Sequence, residues 1–244
     1  MKKRQRSEAK AKCASSAKRA ISWRDIDFPK CERKVHKLQV RIAKAQKEGR
    51  SNKVKALQHL LVTSYEAKVL AVRKVTSNKG KRTAGVDHIK WDTDAKKIKA
   101  VSSLKRRGYK ALPLKRVNIP KSNGKMRPLG IPTMKDRAMQ ALYLMALEPV
   151  TEVEADSNSY GFRRHRGTAD AIDALHRWLS KDCSPQWILE GDIKGCFDHI
   201  SHEWLLDNVR IDRQILEKWL RSGVCSTGFS NPPRKELHKV ASSL

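Results

Sequence analysis

Apolar residues in the first half of the chain recur at the spacing of amphipathic helices. Between residues 29 and 74 they return every three or four positions, as at Val35, Leu38 and Ile42. A short stretch of Gly and polar residues at 49–52 interrupts this pattern. We therefore predict two helices joined by a turn, the second of which continues to about residue 74.

Beyond this helical pair, short β-branched runs replace the helical spacing. A loop over 77–87, marked by its Gly and Asn residues, and a basic helix over 90–107 come first. The runs 117–120 and 126–131 then flank a polar turn that contains Gly124. This order predicts a β-hairpin.

The second half of the chain combines capped helices with one bulky apolar run. Thr133 is a good N-cap for a helix that runs to about Leu147, and we expect Pro149 to end that helix. The run 187–193 predicts a buried strand. Further helices are predicted over 169–180, 201–209 and 212–222. Helices and a few strands in mixed order predict an α+β fold with an antiparallel sheet.

The charge of the chain is concentrated in its first half. The 244 residues include 53 Lys and Arg and 25 Asp and Glu, a formal net charge of +28. Residues 1–130 hold 38 of these cations against nine acids, whereas residues 131–244 hold 15 against 16. This split predicts a basic surface that binds nucleic acid, joined to a less charged core. The alternative is a solvated basic tail without a specific partner.

Other features exclude several classes of protein. No stretch reaches the roughly 18 consecutive apolar residues of a membrane span, so we expect no membrane partner. Residues 1–20 lack the apolar run of a secretory signal; we expect them to be disordered, with an organellar transit peptide as the alternative. The five cysteines form no Cys-x-x-Cys pair, which predicts reduced thiols inside a cell and no zinc site.

A carboxylate at the end of the predicted strand is the first candidate for chemistry. Two-metal phosphoryl-transfer sites hold Mg²⁺ ions about 4 Å apart, on carboxylates carried by rigid strands. Asp192 suits such a metal ligand, and Ile193 offers its backbone carbonyl. The ring of Phe197 would then lie near the sugar of an incoming nucleotide and exclude a 2′-hydroxyl. The alternative is that Asp192 is a turn residue and Phe197 a core residue.

The predicted hairpin carries a second candidate site. Lys121 and Arg127 lie on opposite arms, from which both could contact one triphosphate, Lys as a point charge and Arg as a planar fork. The Gly-x-x-x-x-Gly-Lys pattern of a Walker loop is missing. The alternative is a basic surface hairpin without a ligand.

Several sequence motifs occur in a fixed order along the chain. They are Leu38–Ala45, Thr83–Asp87, Arg127–Thr133, Asp136–Gln140, Ala146–Pro149, Ser159–Arg163 and the segment around Asp192. Together they resemble the reverse transcriptases encoded by bacterial and organellar group II introns. The resemblance covers roughly residues 23–223, and its specificity comes from the order of the motifs rather than from any one of them.

This resemblance implies RNA-templated DNA synthesis with two Mg²⁺ ions, beside a maturase role in intron splicing. It implies that Asp192 is the first metal-binding aspartate, that Phe197 is the nucleotide gate, and that Lys121 and Arg127 contact the triphosphate. It also implies that the basic helices before residue 75 contact RNA. The candidate RNA-binding residues are Arg41, Lys44, Lys53, Lys55, Arg73, Lys81, Arg82 and Arg163.

The sequence departs from the family after about Cys225. The Pro-Gln-Gly segment and the Tyr-x-Asp-Asp hairpin that follow in the family are missing, and no Asp-Asp dipeptide occurs. We expect a frameshifted tail or a natural truncation. The expected domains are a basic tail over 1–22, a mostly helical N-terminal region over 23–105, an incomplete fingers and palm domain over 106–224 and a non-matching tail over 225–244.

Three functions remain open at this point. The chain is a fragment of such a reverse transcriptase that is inactive alone, a non-catalytic intron-RNA-binding protein, or one half of a split enzyme whose other chain carries the missing motif. The expected partners are template or intron RNA, a primer strand, dNTP in the complete enzyme, and that second chain. We expect the bacterial cytoplasm, with an organellar matrix as the alternative, and poor solubility or marginal stability for residues 131–244.

Overall fold

The computed structural model describes residues 22–120, 122 and 124–225, except for the side chain of Asp198. The predictions for Lys121 and for most of the two tails therefore lie outside the described residues. Within these ranges the fold is α+β, as predicted. The helices are α1 Phe28–Lys47, α2 Ser51–Thr63, α3 Tyr65–Ser77, α4 Asp94–Ser103, α5 Met134–Glu154, α6 Thr168–Leu179, α7 His202–Asn208 and α8 Arg213–Leu220, and the strands are β1 Leu114–Pro120, β2 Met126–Ile131 and β3 Val224–Cys225. Short 3₁₀ helices lie at Trp23–Asp25, Lys79–Arg82 and Cys196–Asp198.

Helix α1 packs against α2, α3 and α5. It begins after Asp27, whose side chain accepts a hydrogen bond from the Lys30 amide at 2.8 Å and so satisfies a free donor of the first turn. Val35 and Ile42 lie on its buried face. The turn predicted over 49–52 is confirmed, because α1 ends at Lys47 and α2 begins at Ser51.

The prediction of a single second helix to residue 74 is wrong, because Ser64 divides this stretch into α2 and α3. Ser64 has extended backbone angles, φ −65° and ψ 144°, and its hydroxyl accepts a hydrogen bond from the Ala67 amide at 3.3 Å. A serine in this role competes with continued helix formation. The basic helix predicted over 90–107 is also shorter than expected, since α4 starts after the cap Thr93 and ends at Ser103.

Helix α5 confirms one prediction and corrects another. Thr133 is its N-cap, accepting a hydrogen bond from the Asp136 amide at 3.1 Å. Pro149 does not end it, because the helix continues to Glu154. A proline lacks the N–H that would bond the carbonyl four residues earlier, here that of Met145. The Gln39 side chain donates to this carbonyl at 2.9 Å and so replaces the lost bond.

The sheet has the strand order β2-β1-β3. The predicted hairpin is confirmed: β1 and β2 are antiparallel, with a register that runs from Lys115 opposite Ile131 to Pro120 opposite Met126. The short strand β3 adds to the other edge of β1 in parallel, which the prediction of an antiparallel sheet did not include.

The stretch 187–193 is not the buried strand that its apolar content predicted. It has no regular secondary structure, and Trp187 and Leu189 are 95% and 97% exposed. A strand needs a neighbour for its backbone hydrogen bonds, and the described strands form one sheet that does not include this stretch. The apolar residues alone therefore do not form a strand here.

The hydrophobic core lies almost entirely before residue 151. Its largest fully buried side chains include Ile42, Leu61, Met139 and Leu142. After Val150, the described residues contribute two buried apolar side chains, those of Ala174 and Ile215. Consequently the N-terminal helices and α5 form the packed core that carries the exposed cations.

Candidate nucleic-acid interface

Four predicted RNA-binding residues project from the first two helices. Arg41 and Lys44 lie on α1, and Lys53 and Lys55 lie on α2; all four are at least partly exposed. Their side chains form no hydrogen bond or ion pair with any described residue. Buried neighbours such as Ile42 and Val54 hold the two helices in place. These four cations are thus free to contact phosphate groups.

Lys81 and Arg82 lie in a loop that is bound by a side chain of α5. Their 3₁₀ helix is bound by Arg137, which donates to the carbonyl of Gly80 at 2.9 Å and to that of Thr83 at 2.6 Å. Burial lowers the pKa of the Arg137 guanidinium, and the charge of Asp87 opposes this shift. The two exposed cations therefore sit on a fixed loop rather than on a free one.

The same loop approaches α5 so closely that it needs a glycine. A Cβ atom at Gly85 would lie 2.7 Å from the Thr133 Cα and 2.8 Å from the Thr133 amide nitrogen. Both atoms are backbone and cannot move aside as a side chain can. This contact is the structural reason for glycine within the motif Thr83–Asp87.

Two of the predicted RNA-binding arginines have partners within the chain. Arg73 forms an ion pair of 2.7 Å with Glu32 and lies 4.4 Å from the centre of the Phe28 ring. Arg163 pairs with Glu152 at 2.5 Å, and its side chain is only 11% exposed. Their RNA-binding role stays a prediction, and each also stabilises the fold.

Arg163 also donates two backbone-directed hydrogen bonds. Its guanidinium bonds the carbonyls of Asp156 at 2.5 Å and Ser159 at 3.0 Å. It thereby fixes the turn that follows α5 against the end of that helix.

The nucleotide candidates on the hairpin are only partly described. Arg127 is exposed on β2, directly opposite Ile119 on β1, next to the turn of the hairpin. Lys121 lies outside the described residues. The structure therefore gives the position of one of the two residues predicted to contact a triphosphate, and that contact stays a prediction.

Asp192, Ile193 and Phe197 lie in the exposed stretch between α6 and α7. The Asp192 carboxylate forms no hydrogen bond or ion pair with a described residue. The carbonyl of Ile193 accepts a hydrogen bond from the Cys196 amide at 3.2 Å, within the turn that begins the 3₁₀ helix. Phe197 is exposed.

The described residues do not assemble a complete two-Mg²⁺ centre around Asp192. In the part of the chain that the structure describes, no three His, Cys, Asp or Glu side chains come together as ligands of one metal ion. Two-metal sites need several carboxylates on both ions.

The sequence interpretation missed a buried polar cluster centred on Asp136. Its carboxylate accepts hydrogen bonds from the hydroxyls of Tyr109 at 2.5 Å and Thr133 at 2.7 Å. The Tyr109 oxygen in turn accepts from the Trp219 indole N–H at 2.9 Å. Burial, and then the hydrogen bond to Asp136, raise the pKa of Tyr109 far above its usual value. Asp136 belongs to a motif of the family resemblance, which was the available signal for this cluster.

Comparison with known proteins gives consistent matches. The family described as the N-terminal domain of reverse transcriptase matches residues 23–104, and the reverse transcriptase (RNA-dependent DNA polymerase) family matches residues 119–239. Protein YkfC of Escherichia coli is 39% identical over 158 residues, which are 62% of this chain and 41% of that protein. The group II intron-encoded protein LtrA of Lactococcus lactis is 36% identical over 163 residues, or 63% of this chain and 27% of that protein.

A plant relative extends the comparison to organelles. Nuclear intron maturase 1, mitochondrial, of Arabidopsis thaliana is 31% identical over 101 residues, covering 39% of this chain and 14% of that protein. The chain thus spans less than half the length of each of these three relatives. Separately, no helix within the described ranges has the length and apolar content needed to cross a membrane.

Proposed function

We propose that this chain, which belongs to the reverse transcriptases, uses its helical N-terminal region to bind RNA for a reverse transcriptase or maturase of the kind encoded by group II introns. The observation that carries this proposal is the set of exposed cations on α1 and α2 that have no partner among the described residues. RNA binding by such side chains releases counterions from the phosphate backbone and needs no particular base sequence.

The remaining site residues have proposed roles that follow from the family. Arg127, together with Lys121, contacts the triphosphate of an incoming dNTP, and Phe197 selects its sugar. Asp192 and the Ile193 carbonyl contribute ligands to one Mg²⁺ ion. Because the described residues do not assemble the other ligands, we propose that this chain alone binds template and primer but does not extend the primer.

Neutralising the four predicted RNA-binding cations of α1 and α2 tests RNA binding. We would compare the wild-type chain with a variant that combines Arg41→Gln, Lys44→Gln, Lys53→Gln and Lys55→Gln. Each phosphate contact contributes about 0.7 to 0.9 to the slope of log K against log salt concentration. The variant should therefore bind an RNA duplex more weakly and lower this slope by about 3, as measured by fluorescence anisotropy.

A matched control separates a specific surface from net charge. Lys34→Gln, Lys96→Gln, Arg177→Gln and Arg221→Gln remove the same charge from exposed cations that already pair with carboxylates. We expect this control to keep most of the affinity and slope of the wild type. Equal losses in both variants would contradict binding at α1 and α2.

Primer extension on an RNA template tests the proposal about chemistry. With Mg²⁺ and dNTPs, the wild-type chain should shift the primer–template on a gel without extending it. Asp192→Ala should leave the shift unchanged. Extension by the wild type that Asp192→Ala abolishes would contradict the proposed inactivity.

A second candidate function is one half of a split reverse transcriptase. The observation that favours it is the exposure of apolar side chains after α5, such as those of Trp187, Leu189 and Ile172. A second chain carrying the Tyr-x-Asp-Asp motif would cover these side chains, and activity would then require mixing of the two chains. For the compartment we propose the bacterial cytoplasm, with an organellar matrix as the alternative.

A further inference from the structure

The guanidinium of Arg137 donates to three backbone carbonyls in two segments of the chain. Its Nε donates to the Pro132 carbonyl at 2.9 Å, at the junction between β2 and α5. Its Nη1 donates to the Gly80 carbonyl at 2.9 Å and its Nη2 to the Thr83 carbonyl at 2.6 Å. Each nitrogen of this side chain therefore already donates within the chain, and Arg137 acts through the segments that it joins.

The two loop carbonyls that accept these bonds lie on either side of two exposed cations. We call residues 79–83 the basic turn. In this turn Gly80 directly precedes the pair Lys81 and Arg82. Thr83 directly follows the pair, and its amide also donates to the Gly80 carbonyl at 3.0 Å. The backbone on both sides of the two cations is thus bound before any ligand arrives.

The basic turn is attached to a packed part of α5. Arg137 is followed in that helix by Ala138 and Met139, which are buried in the core. A second contact holds the same loop, because Gly85 approaches the Thr133 backbone too closely for a Cβ atom. The loop is therefore bound to α5 at two points.

The cations of the basic turn have no partner among the described residues. The side chains of Lys79, Lys81 and Arg82 are exposed and form no hydrogen bond or ion pair with a described residue. The next acid along the chain, Asp87, acts on the half-buried Arg137, where its charge opposes the lowering of the guanidinium pKa by burial. Exposed cations that lack a counter-charge and are held at fixed positions favour a polyanionic ligand.

We infer that Arg137 is a positioning residue for RNA binding. It holds the basic turn so that Lys81 and Arg82 contact a phosphate backbone without first having to be ordered. The inference rests on the proposed RNA binding and adds to it a second contact surface, separate in sequence from α1 and α2. A turn released from α5 keeps its cations but loses conformational freedom on binding, which weakens the complex.

A double-mutant cycle on RNA affinity tests this inference. Its variants are Arg137→Gln, the pair Lys81→Gln with Arg82→Gln, and the combination of all three, each titrated against a fluorescein-labelled RNA duplex by fluorescence anisotropy. We expect the affinity to fall about threefold for Arg137→Gln and about tenfold for the pair, which should also lower the salt slope by about 1.5. The combination should be only about tenfold weaker than the wild type, because the pair contributes less once the turn is free.

Independent losses would overturn the inference. They would multiply to about thirtyfold in the combination, as expected if Arg137 acts through net charge or through its own contact with RNA. An unchanged affinity after Lys81→Gln with Arg82→Gln would overturn it as well.

Arg137→Lys separates the shape of the guanidinium from its charge. Lysine keeps the positive charge but offers one nitrogen in place of three, so it cannot bond all three carbonyls. We expect this variant to bind RNA about threefold more weakly than the wild type, as Arg137→Gln does. Wild-type affinity in Arg137→Lys would overturn the positioning role.

A circular dichroism melt checks that each variant folds. If Arg137→Gln does not fold, Gly85→Ala takes its place in the cycle, because a Cβ atom there displaces the loop from Thr133 while Arg137 is retained. The same expectation holds for this cycle: the loss caused by Lys81→Gln with Arg82→Gln should be smaller when the loop is displaced. Independent losses would again overturn the inference.

The matched control is Arg106→Gln. It also removes an arginine that binds another segment, through an ion pair of 2.9 Å with Asp212, but it touches no residue of the basic turn. We expect it to change the RNA affinity less than about twofold, because a carboxylate already neutralises its charge. A loss as large as that of Arg137→Gln would overturn the inference.

These measurements distinguish the inference from the proposed function. If the variant of α1 and α2 binds RNA weakly while Arg137 and the Lys81–Arg82 pair act independently, only the positioning role fails. If the coupling is found while the variant of α1 and α2 binds like the wild type, the site on those helices fails and the positioning role stands. A wild-type chain that binds no RNA overturns both.

Discussion

The scaffold, which we define as residues 22–155, differs from the distal segment, residues 156–200, in the burial of its apolar side chains. Both regions contain such side chains. In the scaffold, each apolar helix face meets another helix, as where α1 packs on α5. In the distal segment most apolar side chains stay exposed, and of the described residues there only Ala174 is a buried apolar residue. Apolar content thus creates a core only where a second element is available to pack against it.

The largest contrast should come from truncating one leucine in each region. Leu61 is 0% exposed and Leu175 is 53% exposed. Leu61→Ala leaves a cavity and should lower the free energy of unfolding by about 3 kcal/mol. Leu175→Ala should change it by less than about 0.5 kcal/mol. Urea denaturation of the full chain measures both.

Equal costs for the two leucines would break the comparison. Such a result would mean that the α6 face is buried in solution, by self-association or by a part of the chain outside the described residues. Repeating the measurement at several protein concentrations distinguishes these cases, because only self-association depends on concentration.

A pair of glycines gives the next contrast. Gly85→Ala places a Cβ atom against the Thr133 backbone, whereas Gly161→Ala places one where no atom lies within 4 Å. We expect the first substitution to cost about 2 kcal/mol, a fall in Tm of about 6 °C, and the second to be nearly neutral. A thermal melt followed by circular dichroism checks this. A neutral Gly85→Ala would show that the loop can move away from α5.

The hydrogen bond from Gln39 to α5 tests whether single polar contacts hold the scaffold together. Gln39→Leu leaves the Met145 carbonyl without a partner and should cost about 1 kcal/mol. In a Pro149→Ala background, the new alanine supplies the missing helical N–H, so the same substitution should cost less. A double-mutant cycle by urea denaturation measures the coupling, expected at about 1 kcal/mol. Additive effects would contradict this role of Gln39.

The sequence predicted those features of the fold that depend on residues close together in the chain, such as helix caps. Thr133 caps α5 and Ser201 caps α7, as their hydroxyls and positions indicated. The end predicted at Pro149 was wrong because a side chain distant in the sequence, Gln39, replaces the missing bond. The break at Ser64 was missed because apolar spacing continues on both sides of it.

The candidate sites show the same limit. The exposure of Arg41, Lys44, Lys53 and Lys55 follows from helical periodicity and was predictable. The partners of Arg73 and Arg163 depend on tertiary contacts and were not. The buried cluster of Asp136, Tyr109 and Trp219 likewise depends on hydrogen bonds between residues that are far apart in the sequence.

The smallest expected effect comes from the ion pair that joins α1 to α3. Lys34 donates a hydrogen bond to Glu66, which lowers the pKa of the Glu66 carboxyl and raises that of the Lys34 ammonium. A carboxyl with a lowered folded-state pKa adds stability above its unfolded pKa of about 4.3, and this stability is lost as the pH falls through the folded value. The raised pKa of Lys34 adds stability that is present below the unfolded value of about 10.4 and is lost as the pH rises through the folded value.

The stability difference between the wild type and Glu66→Gln should therefore be largest near neutral pH and shrink toward pH 3. Urea denaturation at pH 7 and pH 3 measures it. The matched control is Asp173→Asn, which removes an exposed ion pair between Asp173 and Arg177 within α6. Because that pair joins no two elements, its loss should change the stability less at pH 7 than Glu66→Gln does. If the two substitutions change the stability equally at pH 7, the Lys34–Glu66 pair stabilises the chain no more than an exposed pair within one helix does. The difference between the scaffold and the distal segment then rests on apolar packing alone.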